Sequence, residues 1–288
     1  MVAASIGDVV HDNQLTTRRI RFRFQAPSGR YFADDNMVLS HFLAELSGSF
    51  PPGEESFIRS VRRVTDQITD PRLRRRAAGF IGQESTHGQE HRRLNAELIN
   101  RGYPIAWRDS KSMRERQCRR EQRMSPRVHL AMTAGAEHYT AVLAERILSS
   151  AEIQAIPGTP EVWNLLNWHA LEELEHKSVA FDVYRAVGGT EPIRIVVMAF
   201  LIATTVPATL LAVAISIARD PVARRHPVRL LAESRALLRG PFFKGLLRDL
   251  LRYLKPGFHP DDVDTTALLE HWQRKLFGDG GSLVDHLR

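Results

Sequence analysis

Cysteine is almost absent from this chain, and its scarcity narrows what the protein can be. Cys118 is the only cysteine in 288 residues, which excludes an intrachain disulfide framework and an iron–sulfur cluster held by one chain. A chain without disulfides fits a reducing compartment. The first 30 residues lack the apolar run that secretion signals carry, and we therefore expect a cytoplasmic protein.

Two kinds of motif are also lacking. There is no Gly-x-Ser-x-Gly motif for a serine nucleophile and no nucleic-acid-binding motif. The net charge is nevertheless +7, and arginine outnumbers lysine 35 to 5. The arginines are scattered along the chain, with groups at 72–76, 114–123 and 219–229. We therefore expect no nucleic-acid partner, and we attribute the charge to a solvated basic face or to affinity for anionic lipid.

The chain does contain two copies of the pattern Glu-x-x-His. Residues three apart lie on one face of a helix, so each copy offers a carboxylate and an imidazole to one metal ion. One further glutamate precedes each copy. Four-helix bundles that hold two iron or manganese ions use this ligand set. The six candidate metal ligands are Glu54, Glu84, His87, Glu137, Glu173 and His176.

The candidate ligands occupy positions where a helix would carry core residues. Phe80, Glu84, His87, His91 and Leu94 recur at steps of four and three residues, which trace one helical face. Carboxylates on the inner face of a bundle cost several kcal/mol each unless their charge is compensated. A pair of divalent cations would compensate four of them, and we therefore predict a site for two metal ions.

Neighbouring side chains leave some assignments open. Glu55 competes with Glu54 for the first position, and Glu172 competes with Glu173, which its helical phase favours. The two histidines one turn beyond the pairs are expected behind the ligands rather than among them. His259, in a Pro-Gly loop, either caps the mouth of the site or only packs. The residues expected as supporting groups or extra ligands are His91, His169, Glu172 and His259.

Five stretches of the chain resemble the family described as predicted metal-dependent hydrolases. The stretches are Phe50-Pro-Pro-Gly-Glu54, Phe80-Ile-Gly-Gln-Glu-Ser-Thr-His87 with Glu90-His91, Glu137-His-Tyr-Thr140, Trp168-His-Ala-Leu-Glu-Glu-Leu-Glu-His-Lys177 and Pro256-Gly-Phe-His-Pro260. The resemblance runs from about residue 20 to about residue 275. The ligand pattern is also similar to that of ferritin-like di-iron carboxylate proteins, many of which are oxygenases or oxidases.

The resemblance and the helical patterns together predict an all-α fold, a ferritin-like four-helix bundle with a C-terminal helical extension. Residues 1–48 would form an N-terminal arm and a short helix at 36–46, followed by a break at 49–53. Residues 49–190 would form the di-metal bundle, whose fourth helix ends at Gly188-Gly189. Residues 191–288 would form an apolar helix and an extension packed on the bundle or on a membrane surface.

The apolar helix is the second notable feature of the sequence. Residues 195–218 carry no formal charge over 24 positions, and arginines follow at once. A run of this length is a candidate membrane span. Three interpretations stay open, namely a buried or substrate-lining helix, an interfacial membrane attachment, and a true span. An exposed apolar face there could equally form a homodimer.

The ligand set predicts an enzyme that activates O2 at a di-iron or mixed iron–manganese centre and oxidises an organic, apolar and lipid-like substrate. Such an enzyme needs an electron donor. One alternative is a metal-dependent hydrolase, with zinc as the metal and a metal-bridging hydroxide as the nucleophile. The other alternative is a non-catalytic metal-binding ferritin-like protein.

Overall fold

The computed structural model describes residues 15–24 and 29–288. No β-strand occurs in these residues, which confirms the predicted all-α class. The remaining residues of the predicted N-terminal arm, 1–14 and 25–28, lie outside the described residues. The α-helices are α1 (Met37–Arg62), α2 (Pro71–Asn100), α3 (Lys111–Arg123), α4 (Pro126–Ser149), α5 (Ala151–Gln154), α6 (Pro160–His176), α7 (Val179–Ala186), α8 (Glu191–Ala218), α9 (Pro227–Arg239), α10 (Leu246–Leu251) and α11 (Thr266–Phe277).

The helix α1 is continuous, so the predicted short helix at 36–46 and the break at 49–53 were wrong. A proline inside a helix leaves the carbonyl four residues earlier without its usual donor. Pro51 does so for the carbonyl of Ser47, and the side-chain amide of Asn95 on α2 donates to that oxygen instead, at 3.0 Å. The helix therefore crosses residue 48, where the sequence analysis placed a domain boundary.

Side-chain caps begin the long helices where the sequence predicts them. Asp70 precedes α2 and Ser125 precedes α4, and each side-chain oxygen accepts a hydrogen bond from a backbone N–H of the first turn. Pro71 and Pro126 occupy the first helical positions, where the missing N–H costs nothing. These caps fix the phase with which α2 and α4 face the interior.

The fourth predicted helix is divided in two. It ends first at His176, and α7 begins at Val179, so the prediction of one helix as far as residue 188 was wrong. At the interruption the side chain of Lys177 donates to the backbone carbonyl of Val263 and to the hydroxyl of Thr265. The chain near residue 264 is thereby attached to the end of α6.

Four helices surround the interior that holds the candidate ligands. Helix α1 packs along α2 and α4 along α6, while α1 with α4 and α2 with α6 complete the ring. Large apolar side chains fill the ends of this interior, among them Phe80, Leu130 and Trp168, all fully buried. The polar ligands therefore lie in the middle of an otherwise apolar core.

The C-terminal part packs around the same four helices. Helix α8 contacts α1 and α4, α9 contacts α1, and α10 contacts α4, while α11 lies against α6 and α4. The described part of the N-terminal arm lies beside the C-terminus of the chain, where Ile20 and Leu287 form an isolated antiparallel bridge. The described residues around Ile20, which belong to the expected N-terminal arm, form this isolated bridge and no strand.

Candidate metal centre

The six candidate ligands come together from four helices. Glu54 lies on α1, Glu84 and His87 on α2, Glu137 on α4, and the second Glu-x-x-His pair on α6. Each of the six is at most 4% exposed. Their oxygen and nitrogen atoms form three overlapping groups in which all ligand atoms lie within 4.8 Å of one another. The groups are Glu54, His87 and His169; Glu84, His87 and Glu173; and Glu84, Glu137 and His176.

Glu84 and Glu173 lie between the two histidines. The Nε2 atom of His176 is 3.1 Å from Oε1 of Glu84 and 3.6 Å from Oε1 of Glu173. The Nδ1 atom of His87 is 3.9 Å and 3.6 Å from the same two oxygens. Glu137 lies only on the side of His176, with Oε2 at 3.3 Å. Glu84 and Glu173 are therefore the carboxylates that would contribute to holding a metal ion beside either histidine.

All six residues have buried polar atoms without a hydrogen-bond partner among the described residues. Such atoms are rare in folded proteins, because an unsatisfied buried polar group costs free energy. The unsatisfied atoms are both carboxylate oxygens of Glu54, Glu84 and Glu137, Oε2 of Glu173, Nδ1 of His87 and Nε2 of His176. They face one another in the interior, and their oxygen and nitrogen chemistry fits iron, manganese or zinc.

The outer nitrogen of each of these histidines is held by a second residue. Nε2 of His87 lies 3.0 Å from Oε2 of Glu172, and Nδ1 of His176 lies 3.0 Å from Oε1 of Gln83. With a metal ion bound, each partner could accept a proton from the outer nitrogen of its histidine. The inner nitrogen then keeps its lone pair for a metal ion, which is how metal-binding histidines are usually oriented.

One arginine supports both histidines from behind. The guanidinium of Arg18 donates to Glu172 at 2.9 Å and to both oxygens of Glu175 at 2.7 and 2.8 Å. Glu175 in turn accepts from the amide of Gln83 at 2.8 Å, which fixes the amide orientation toward His176. Arg18 thus holds the partner of His87 and, through Gln83, the partner of His176.

His169 points into the site, while His91 stands behind it. Nε2 of His169 lies 2.8 Å from Oε1 of Glu173 and 3.7 Å from Oε1 of Glu54. Its Nδ1 atom lies 2.8 Å from Nε2 of His91, whose other nitrogen contacts the hydroxyl of Ser47. The expected supporting role therefore fits His91, whereas the position of His169 favours a seventh ligand.

The structure also places the other residues whose roles the sequence left open. Glu55 is half-exposed and pairs with Arg92, so its neighbour Glu54 is the residue that faces the interior. Glu172 faces His87 from outside. His259 contacts Asp182 at 2.9 Å and belongs to none of the three ligand groups. Of its two expected roles, packing fits its position better, since it lines neither cavity.

Burial and mutual repulsion shift the pKa values of the cluster. Burial raises the pKa of Glu54 and of Glu137 well above the usual carboxyl range, and neighbouring carboxylates add to the shift. Burial would also raise the pKa of Glu173, but the charge of His176 lowers it well below that range. Burial and the nearby histidines lower the pKa of His87, which therefore stays neutral and able to bind a metal ion.

An apolar cavity of about 200 Å³ opens onto one side of the cluster. Glu54 and Glu173 lie at its inner end, and apolar side chains of α1, α4, α8 and residues 242–246 line the rest. A smaller cavity of about 40 Å³ shares part of this lining and reaches His169. The side of the site formed by Glu54, Glu173 and His169 is therefore the side that a substrate can approach.

Tyr139 is one of the residues that line the cavity. Its hydroxyl oxygen is buried and has no hydrogen-bond partner among the described residues. Burial raises the pKa of Tyr139 to about 12, so the hydroxyl stays protonated at neutral pH. It can therefore donate a hydrogen bond to a polar group that enters the cavity.

Three residues of the site were not predicted from the sequence: Arg18, Gln83 and Tyr139. Gln83 directly precedes Glu84, and Tyr139 follows Glu137 by two positions, so both lie within conspicuous motifs. Arg18 lies 154 positions from Glu172, and no local pattern marks it. A long-range ion pair of this kind becomes visible only in the folded chain.

Comparison with known proteins gives one match. The model of the family described as predicted metal-dependent hydrolase matches residues 16–264. Neither the curated proteins nor the solved structures searched contain a match to the chain. The family match includes every candidate ligand and most of the cavity lining.

Proposed function

The chain belongs to the family of predicted metal-dependent hydrolases, and from that premise we propose that it binds two metal ions and hydrolyses an ester with an apolar chain. The metal ligands would be Glu54, Glu84, His87, Glu137, Glu173 and His176, with His169 as an additional one. The cavity beside Glu54 and Glu173 would hold the apolar part of the substrate.

The observation that carries the metal-binding proposal is the set of unpaired buried donor atoms. Four carboxylates and two histidines converge in an apolar core with nine ligand atoms that lack hydrogen-bond partners among the described residues. Leaving several such groups unsatisfied would cost on the order of several kcal/mol. Two divalent cations would satisfy them together and would balance the charge of the four carboxylates.

The chain's own residues supply orientation and a proton donor. Metal ions held in the cluster would polarise a substrate carbonyl and lower the pKa of a bound water toward neutrality. The cavity wall would exclude bulk water from the ester group. Tyr139, which lines the cavity and has an unpaired hydroxyl, would donate a hydrogen bond to the substrate oxygen that gains negative charge.

Oxidation of an apolar substrate with O2 is the second candidate. It is favoured by the donor set itself, because four carboxylates and two histidines between helices are typical of di-iron and di-manganese bundles. The apolar cavity suits a hydrocarbon substrate equally well. The two candidates therefore share the site and the binding pocket and differ in the metal and the reaction.

A serine, a histidine and an aspartate elsewhere in the chain make contacts that superficially suggest a nucleophile. Ser216 lies 2.8 Å from Nδ1 of His41, and Asp220 lies 3.1 Å from its Nε2. However, Ser216 is only 1% exposed, so a substrate cannot reach its hydroxyl. Asp220 also accepts from Arg30 and Tyr31, which indicates a structural network at the end of α8.

The proposal is tested with metal-reconstituted protein and 4-nitrophenyl esters of increasing acyl length. We expect release of 4-nitrophenol that requires metal, increases with acyl length and is unchanged when O2 is removed. Substrate-dependent O2 consumption without ester hydrolysis would replace the first candidate with the second. Bound metal with neither reaction would indicate the non-catalytic metal binder.

A further inference from the structure

The helix α8 presents a large apolar surface to solvent. It is long and apolar enough to cross a membrane, yet only 17% of its most apolar 18-residue window is buried. Val196, Phe200 and Leu211 are 67%, 57% and 61% exposed. Contiguous exposed apolar surface of this kind marks a site of interaction with another molecule or a membrane.

The surface continues onto α9 and α10. Val228 and Leu231 on α9 and Leu247 on α10 are each more than half exposed. The inner sides of these elements are buried in two clusters, one with Val213 of α8 and Leu237 of α9 and the other with Met198 of α8 and Leu250 of α10. We call the exposed sides of α8, α9 and α10, with the loops between them, the α8–α10 face.

In the segment that contains α9 and α10, the basic side chains are more exposed than the acidic ones. Residues 219–255 contain ten Lys or Arg and three Asp or Glu. All ten cations are exposed, whereas the three acids, Asp220, Glu233 and Asp249, are buried or half-buried. Two of these acids are paired with cations outside the segment, Asp220 with Arg30 and Asp249 with Arg146. The α8–α10 face therefore presents apolar side chains among positive charges.

Contacts near both ends hold α8 along the bundle. Near its beginning, Arg194 donates to the backbone carbonyls of Tyr253 and Lys255. Near its end, Ser216 contacts His41 of α1. A helix held to one body along its length does not leave that body to cross a bilayer alone, so the geometry favours the interfacial interpretation over a span.

We propose that the α8–α10 face binds the surface of an anionic lipid bilayer. Apolar side chains with surrounding arginines and lysines are the combination by which peripheral helices insert into the headgroup region of such membranes. The exposed leucines, valines and Phe200 would enter the bilayer, and the ten cations would contact the lipid headgroups. This proposal concerns binding alone and does not depend on the reaction at the metal centre.

The alternative occupant, a second copy of the chain, fits the face less well. A symmetric dimer through this face would bring exposed cations of one chain, such as Arg224 and Arg225, against those of the other. Like charges placed together across an interface oppose association. An anionic membrane instead complements them, and the charge pattern therefore decides between the two occupants.

The position of the cavity indicates how a lipid chain would reach the metal centre, an inference that rests on the proposed function. Thr205 and Leu210 line the cavity beside the metal centre and are themselves exposed on α8. The cavity thus reaches the surface at the α8–α10 face. A lipid chain could then enter from the bilayer toward Glu54 and Glu173 without crossing water.

Vesicle flotation tests the binding proposal directly. The full chain is mixed with vesicles of phosphatidylcholine alone or of phosphatidylcholine with phosphatidylglycerol, at low and at high salt. We expect binding to the anionic vesicles at least about tenfold stronger than to the neutral ones, and weaker binding at high salt. Equal binding to both vesicles, or no binding to either, would overturn the proposal.

Paired variants locate the contact. Phe200→Glu with Leu231→Glu changes two exposed apolar residues of the face and should weaken vesicle binding at least about tenfold. Ile99→Glu, which changes an exposed apolar residue at the end of α2, should leave it unchanged. If Ile99→Glu weakened vesicle binding as much as the double variant does, the α8–α10 face would not be the membrane contact.

A second pair tests the charges. Arg224→Glu with Arg225→Glu should abolish the preference for anionic vesicles, whereas Arg116→Glu with Arg120→Glu on α3 should preserve it. All of these positions are exposed, so the variants are expected to fold. Measurement with metal-free and metal-loaded protein separates membrane binding from the reaction. A concentration-dependent dimer that disappears in Phe200→Glu, without vesicle binding, would establish the second copy as the occupant.

Discussion

The interior between α1, α2, α4 and α6 and the α8–α10 face show opposite departures from an ordinary soluble protein. The interior holds four carboxylates at most 4% exposed, whereas the α8–α10 face exposes large apolar side chains such as Val228 at 81%. Soluble proteins usually bury the apolar groups and expose the charged ones. We propose that each departure reflects what the region binds, metal ions in one case and lipid in the other.

The two departures differ in the free energy that they cost. A buried charge without compensation costs several kcal/mol, whereas an exposed apolar side chain only forgoes about 1.5–3 kcal/mol of burial. The fold can therefore tolerate the α8–α10 face in water, but the interior needs a bound cation or protonated carboxyls. The predictions below follow that order, from the ligands outward.

The largest effect is expected from the two glutamates between the histidines. Glu84→Ala and Glu173→Ala should each remove most of the bound metal, because both carboxylates lie between the two histidines. Elemental analysis of the purified variants measures the loss, and circular dichroism checks that the helices persist. Glu97→Ala, on the half-exposed side of α2, is the matched control and should retain the wild-type metal content. Full retention in both site variants would refute the ligand assignment.

Metal removal should destabilise the protein, and more strongly at higher pH. Burial raises the pKa of Glu54 and Glu137 above their value of 4.5 in an unfolded chain. A folded state that binds more protons than the unfolded state loses stability as pH rises between the two pKa values. His176 acts in the same direction above 6.5, since Glu173 and Glu137 raise its pKa although burial would lower it.

Below about 6.5 the lowered pKa values of His87 and His91 oppose this trend, because the unfolded chain then binds more protons at these residues. The thermal midpoint of the chelated protein should therefore fall as pH increases above about 7, and added metal should restore it by roughly 5–10 °C or more. Glu173 does not alter this trend, because its pKa is lowered and its contribution is already complete above the unfolded value. A midpoint of the chelated protein that rises with pH across this range would argue against the buried cluster.

Arg18 should act on metal affinity through the residues it holds. Arg18→Gln breaks the bonds to Glu172 and Glu175 and should weaken metal binding about 10- to 100-fold, as changes behind metal ligands commonly do. Arg18→Lys keeps the charge but loses the fork that reaches both acids, so an intermediate affinity is expected. The neighbouring exposed residue provides the control, and Arg19→Gln should bind metal as the wild type does. Competition with a coloured chelator measures the affinities.

The smallest of these effects is expected at the cavity wall. Tyr139→Phe removes the unpaired hydroxyl and should lower kcat about tenfold, with unchanged metal content, if that hydroxyl stabilises charge in the reaction. Tyr253→Phe is a close control, because the hydroxyl of Tyr253 is also buried and unpaired among the described residues but does not line the cavity. Equal activity losses in both variants would indicate a general packing effect.

The sequence predicted the interior better than its surroundings. The spacing of Glu84 with His87 and of Glu173 with His176 follows from helical geometry, and the fold brings both pairs together. Local patterns misjudged α1, since prolines usually end a helix and only the contact of Asn95 with Ser47 explains why this one continues. The position of His169 among the ligands also depends on how α6 packs against α1.

The sequence predicted neither Arg18 as a support of the metal ligands nor the exposure of the α8–α10 face, and the reasons differ. Arg18 comes from a segment remote from α6, and long-range pairing leaves no periodic pattern. The apolar run of 195–218 was evident, but its hydropathy is the same whether it is buried, interfacial or spanning. The structure adds that one side of this helix is exposed and that Arg194 and Ser216 contact neighbouring elements, and the proposed interfacial binding is built on these observations.

The number of metal ions bound per chain tests the central claim most directly. Chelated protein is titrated without O2 against ferrous iron, manganese and zinc in turn, and the bound metal is counted after desalting. The account predicts two ions per chain for at least one of these metals, with tight binding that disappears in Glu84→Ala. No retained metal, or a count unaffected by Glu84→Ala, would contradict the claim that the buried glutamates and histidines form a metal centre.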